Sequence, residues 1–163
     1  MALSLQLFAQ NSACDKVFDS YANTKGFLTM DISGNLLTEL FSDGQDNEDC
    51  IISSLKILVV EDTLINPKPN FYKEVVPNLN RKEYEELMTV KSSDQDLVVL
   101  CKKQNHKITE FILVSGGSDN SLIYLKGSFS LSEARKISDT YIHSDKLKEM
   151  EAELKDTEKE SQN

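Results

Sequence analysis

Between Tyr84 and Ser130 the chain is built from four short runs, YEELMTVKS, DLVVLCKK, KITEFILVS and SLIYLKGS, parted by SSDQD, QNH and GGSDN. Runs rich in Val, Ile, Leu and Tyr and bounded by Gly, Ser, Asn and Asp read as strands. Connections of about 3 to 5 residues can only reverse the chain, since a parallel crossover needs roughly a dozen. A four-stranded antiparallel meander is therefore expected. The last separator follows from the same reasoning. Gly116 and Gly117 lie between two strands, whereas a phosphate-gripping loop leads from a strand into a helix and carries Lys-Ser or Lys-Thr after its glycines. Both glycines are expected to supply the positive φ angles of a tight hairpin.

Upstream, the apolar spacing switches between helix and strand. Cys14, Val17, Phe18 and Tyr21 recur at helical spacing, with Ser12 and Asp15 as an N-terminal cap and Gly26 as the stop. FLTMDI alternates, with Leu28, Met30 and Ile32 on one face. Ser33 then opens GNLLTELF, where Leu36, Leu37, Leu40 and Phe41 form a helical stripe, and IISSLKILVV alternates through Leu55, Ile57 and Val59. Pro67 and Pro69 enforce an extended entry to a short helix capped by Asn70, which carries Phe71, Val75 and Leu79 and is kinked or ended by Pro77. After the last strand, Ser130 and Glu133 form a capping box for a helix with Leu131, Ala134, Ile137 and Tyr141. From Ser144 the tail SDKLKEMEAELKDTEKESQN offers only the thin seam Leu147, Met150 and Leu154, and reads as charged helix or disorder.

The expected fold class is α+β: alternating helix and strand units, then the meander, with helices packed on one face of the sheet. One domain is expected over residues 14–143, flanked by residues 1–13 and by the tail 144–163.

The first of these flanks bears on location. MALSLQLFAQNSACDK opens with an uncharged apolar block from Ala2 to Ala9 and turns polar at Gln10. That pattern reads as the back half of a secretory signal cleaved before Gln10, although no Lys or Arg precedes it and Leu7 is bulky for the −3 position. A short N-terminal strand or a frayed end is the competing reading. Ser12-Ala13-Cys14 is also similar to a lipoprotein cleavage site, which would place a lipid anchor on Cys14; Asn11 stands where such sites usually have Leu. Export would permit a disulfide among Cys14, Cys50 and Cys101. Cys101 sits in an apolar run and reads as a buried side chain, so Cys14 and Cys50 are the candidate pair.

Acids outnumber bases 27 to 18, for a net charge of −9, and Arg81 and Arg135 are the only arginines. Such a surface repels nucleic-acid phosphates, so no nucleic acid is expected as a partner. No apolar run reaches the roughly 20 residues of a membrane-spanning helix. A hydrolase of the serine or cysteine type would need His106 or His143 as base, yet the first lies in the turn QNHK and the second follows the final helix. Zinc spacing is missing. The loop from Asp43 to Asp49 is rich in oxygen ligands that suit Ca²⁺, but its spacing is not that of an EF-hand, and it reads as a solvated loop. Glu61-Asp62 and Glu85-Glu86 are adjacent acids, and neighbours on a strand point to opposite faces. No catalytic residue, metal ligand or cofactor site is assigned.

KGFLTMDIS, SLKILVVED, NFYKEVVPNLNRKEYEELMTVKSSDQDLVVLCKK and LIYLKGSFSLSEARKIS together carry a resemblance. From about Cys14 to Ile137 the chain resembles the bacterial envelope proteins grouped as domain of unknown function 4252. That resemblance implies an α+β fold, export or lipid anchoring, and a link to extracytoplasmic-function sigma factors; it defines no functional residues. The expected function is a non-enzymatic binding or signalling module, monomeric or weakly homo-oligomeric, that meets an envelope protein or polymer. The alternative is a hydrolase that uses scattered carboxylates.

Overall fold

The computed structural model describes residues 12–34, 37, 50–62, 64 and 69–141. Its elements are α1 (Ala13–Tyr21), β1 (Phe27–Ser33), β2 (Ile51–Val60), α2 (Phe71–Val75), β3 (Glu85–Lys91), β4 (Gln95–Gln104), β5 (Lys107–Gly117), β6 (Ser121–Phe129) and α3 (Leu131–Tyr141). All six strands join one antiparallel sheet in the order β1-β2-β6-β5-β4-β3. The four-stranded meander is thus corrected. β3 to β6 do follow one another, but β2 pairs with β6, so the last strand of the expected meander lies inside a larger sheet.

Helices on one face are also corrected. α1 and α2 cover one face through Cys14, Val17, Phe18, Phe71 and Val75, while α3 covers the other through Ala134 and Ile137, joined there by Leu37. The sequence carries the reason. Phe111 to Val114 and Leu122 to Tyr124 are apolar at every position and buried at every position. A strand without alternation has to be covered on both sides. On the first face lie Leu58, Val60, Val98, Leu100, Ile112, Val114, Leu122 and Tyr124; the other face holds Leu55, Ile57, Val99, Phe111, Leu113, Ile123 and Leu125.

Local signals hold where capping chemistry dictates them. Ser12 and Asp15 form a reciprocal capping box that starts α1, and Ser130 and Glu133 exchange the same contacts at α3. The stop of α1 lies earlier than Gly26: the helix ends at Tyr21 and Asn23 takes the left-handed turn at φ +61°. Pro77 falls in a 3₁₀ turn (Val76–Asn78) that closes α2, as a ring without an N–H requires. Leu131, expected on the apolar stripe of α3, is exposed. Most of the stripe expected in GNLLTELF lies outside the described residues, as do the block from Ala2 to Ala9, the acidic loop from Asp43 to Asp49, His143 and the tail.

The hairpin after β5 needs its glycines for two different reasons. Gly117 has φ +118°, as expected, and a Cβ there would run into the Asp94 carbonyl. Gly116 stays within β5 opposite Asp96, and it has no positive φ. A side chain on it would collide with Asn70, whose Oδ1 accepts from Lys73 N at 3.0 Å to cap α2. Asn120 finishes the junction. Fully buried, it accepts from Phe71 N at 3.2 Å and donates to Gly117 O at 3.0 Å.

Candidate functional site

The α1/α2 face is apolar at one end of the strands and charged at the other. Along β4 its residues run Val98, Leu100, Lys102; along β5, Val114, Ile112, Glu110; along β6, Leu122, Tyr124, Lys126. Pairing places Lys102 opposite Glu110 and Glu110 opposite Lys126, so a row of alternating charge crosses three neighbouring strands. Opposite charges facing each other across strands attract. Above this row α1 and the segment after α2 part, leaving an open cleft of about 1080 Å³ lined by the row and by Asp15, Lys16, Lys73 and Tyr84.

Two anchored carboxylates organise the cleft. Tyr84 and Tyr124 both donate their hydroxyls to Oε2 of Glu110 at 2.7 Å, and Lys102 Nζ stands 3.7 Å from its Oε1. Asp15 receives Lys56 at 3.1 Å on Oδ1, and Lys126 at 3.1 Å and Ser12 Oγ at 2.9 Å on Oδ2. Burial opposes ionisation of Asp15, but the hydrogen bonds from Lys56, Lys126 and Ser12 outweigh it and hold the carboxyl below its usual range. Burial, reinforced by Glu110, pushes the Tyr84 phenol far above its ordinary value, and the same holds for Tyr124 despite an opposing contact from Ser12. Lys102 is raised by its hydrogen bond to Glu83, at 2.7 Å.

The cysteines do not form the pair expected from sequence. All three are free thiols; Cys14 is buried under α1, whereas Cys50 is half-buried against the opposite core cluster. The sheet separates the two layers, so a Cys14–Cys50 disulfide is not made. Cys101 is fully buried, as its apolar run requires. Burial lifts the Cys14 thiol well above its usual range, and a lipid on that sulfur would require α1 to leave the sheet. Cys50 is pushed up to about 11, by burial first and then by the Glu133 carboxylate. His106 sits in the exposed turn between β4 and β5 at φ +65°, outside the cleft.

Sequence reading missed Tyr84, Glu110, Tyr124 and the lysines around them. Their signal was present: V-x-L-x-K, E-x-I-x-V and L-x-Y-x-K each end an alternating face in a charge. Only the strand register brings those ends together. Among the described residues no group of three or more His, Cys, Asp or Glu is arranged to hold a metal ion, and no helix is long and apolar enough to cross a membrane.

None of the curated proteins and none of the solved structures matches this chain. A family model does, over residues 21–137, which includes the charged row, Tyr84 and Tyr124 but not Ser12 or Asp15. That match spans more than two-thirds of the 163 residues, and the chain belongs to the family described as domain of unknown function DUF4252.

Proposed function

We propose that the chain is a non-enzymatic binding module of the bacterial envelope, and that the cleft over the charged row receives an acidic segment of an envelope polymer. The observation that carries this reading is the state of the cleft's groups. Acid–base chemistry needs a group that changes protonation near the working pH. Asp15 is held ionised, Tyr84 and Tyr124 are held neutral, and Lys102 is held charged. Such groups recognise a ligand and do not shuttle protons. The sign of the ligand follows from what is left over. Asp15, Glu74, Glu83 and Glu110 are engaged by lysines and phenols, whereas Lys16 and Lys73 on the cleft wall have no ion-pair partner among the described residues. Screening confines the repulsion of distant acids to about 8–10 Å, so two local lysines decide the matter. Export, with a link to extracytoplasmic-function sigma factors, is part of the same proposal.

The test is an amide chemical-shift titration of the full chain with trigalacturonate and, as a neutral counterpart, maltotriose. Shifts confined to α1, α2 and the charged row with trigalacturonate alone, lost in the Lys16→Glu/Lys73→Glu double variant, are expected. Shifts elsewhere, or equal shifts with both sugars, would overturn the reading. Recovery of the chain from the cytoplasmic fraction of its host would remove the envelope part.

One observation favours the hydrolase alternative: Asp15 and Glu110 line the same cleft. Turnover of glycan, ester or peptide substrates, lost in Asp15→Asn or Glu110→Gln without loss of fold, would replace binding with catalysis.

A further inference from the structure

β3 is an edge strand whose outer side, among the described residues, pairs with nothing. It is exposed along almost its whole length, and Met88 and Val90 are 47% and 45% exposed. Pairing with β4 fixes where they stand. Met88 is opposite Val99 and Val90 opposite Leu97, so both lie on the α3 side of the sheet. Glu86, opposite Leu100, and Lys91, opposite Asp96, lie on the other side, and Leu87 is the extra residue of a bulge between Glu86 and Met88. An exposed edge of this kind is a template for another strand.

The strand is complementary to itself. Turned about a two-fold axis at Thr89, Met88 of one copy stands opposite Val90 of the other, and Thr89 opposite Thr89. Beyond the bulge, Lys91 stands opposite Glu86. Every pair then lies on one face, as antiparallel register demands, and every pair except the central one occurs twice. An apolar contact forms on the α3 side and opposite charges meet on the α1/α2 side. We propose that a second copy of this chain docks antiparallel along β3, joining two six-stranded sheets into one across Thr89. This surface is separate from the cleft and stands whether or not the cleft binds a polymer.

Charge reversal tests it. Sedimentation equilibrium of the full chain at about 100 µM, where even a weak interface is populated, is expected to show dimer. Lys91→Glu and Glu86→Lys, each placing like charges opposite one another twice, are each expected to weaken association by about tenfold. Within its own chain Lys91 meets Asp96 at 3.2 Å and Glu86 meets Arg81 at 2.6 Å, contacts that either change also reverses. The double variant, which restores only the pairing across the axis, is therefore expected to associate more tightly than both single variants. Both positions are exposed, and the circular dichroism of each variant checks that the fold is kept. A chain that stays monomeric, or a dimer indifferent to Lys91→Glu, or a double variant no better than the singles, would each overturn the proposal.

Discussion

On the α3 side the sheet presents an apolar layer from β1 across to β4, with Leu55, Ile57, Leu125 and Phe129 at or near zero exposure. On the α1/α2 side the same strands begin apolar and end in Lys102, Glu110 and Lys126. The backbone is shared, so the difference comes from side chains alone. One layer holds the sheet by exclusion of water; the other gives part of its area to a polar network whose every carboxylate needs partners. A charge on a buried face is tolerable only when it is paired and hydrogen-bonded. The cleft is where that condition is met.

The largest effect should come from the more apolar of the two layers. Phe129→Ala, at a fully buried site, is expected to cost about 3–5 kcal/mol in urea unfolding. A cost below about 2 kcal/mol would mean that this layer collapses around cavities and is looser than its burial implies. Next comes Glu110→Ala, which strips two phenols of their charged acceptor. A loss of about 2 kcal/mol by the same measurement is expected, and Glu110→Gln, which keeps an acceptor, should lose less. Equal losses would show that the network acts only by filling space.

Smaller effects appear as pH dependence. Asp15 is depressed in the folded chain, so its contribution is present above the unfolded carboxyl value of roughly 4 and is lost as pH falls through the folded one. Asp15→Asn should therefore flatten the acid limb of the stability curve below about pH 4. The phenols act with the opposite sense. Tyr21 is raised to about 12, by burial and Glu74, and Tyr84 and Tyr124 lie higher still. Their contribution is full below an unfolded value of roughly 10 and is lost as pH rises, so phenolate absorbance should lag there and appear together with unfolding. The smallest effect belongs to the sheet margin. Glu85 and Lys103 meet at 2.7 Å but are 57% and 45% exposed, and Glu85→Ala should leave Tm within about 1 °C.

How much of this could be read from the residues follows the same division. Strand positions were legible because turn chemistry between them is local: Asn105 and His106 take φ of +50° and +65°, and Gly117 takes +118°. The three helix-opening caps, Ser12, Asn70 and Ser130, were legible for the same reason. Helices on both faces were legible in principle from the unbroken runs at Phe111 and Leu122, yet the expectation of an open face overrode them. β2 beside β6 was not legible, because no local signal says which strand a distant strand will join. The site was least legible of all. Glu110, Lys102, Lys126 and Tyr84 are ordinary residues in their own segments, and only register and the return of the chain after α2 make them neighbours. The Cys14–Cys50 pairing failed similarly, since sequence does not say which side of a sheet a thiol will occupy.

Two reverse turns at opposite ends of β5 differ in what they hold. The one at Asn105 and His106 is exposed, whereas Asn120 ties the other to the first peptide of α2. A reporter peptide or fluorophore should therefore be carried without harm at the first. Spliced at the second, it would unlatch the short helix that forms one wall of the cleft, and any tagged version of the protein meant to keep its ligand should leave that corner untouched.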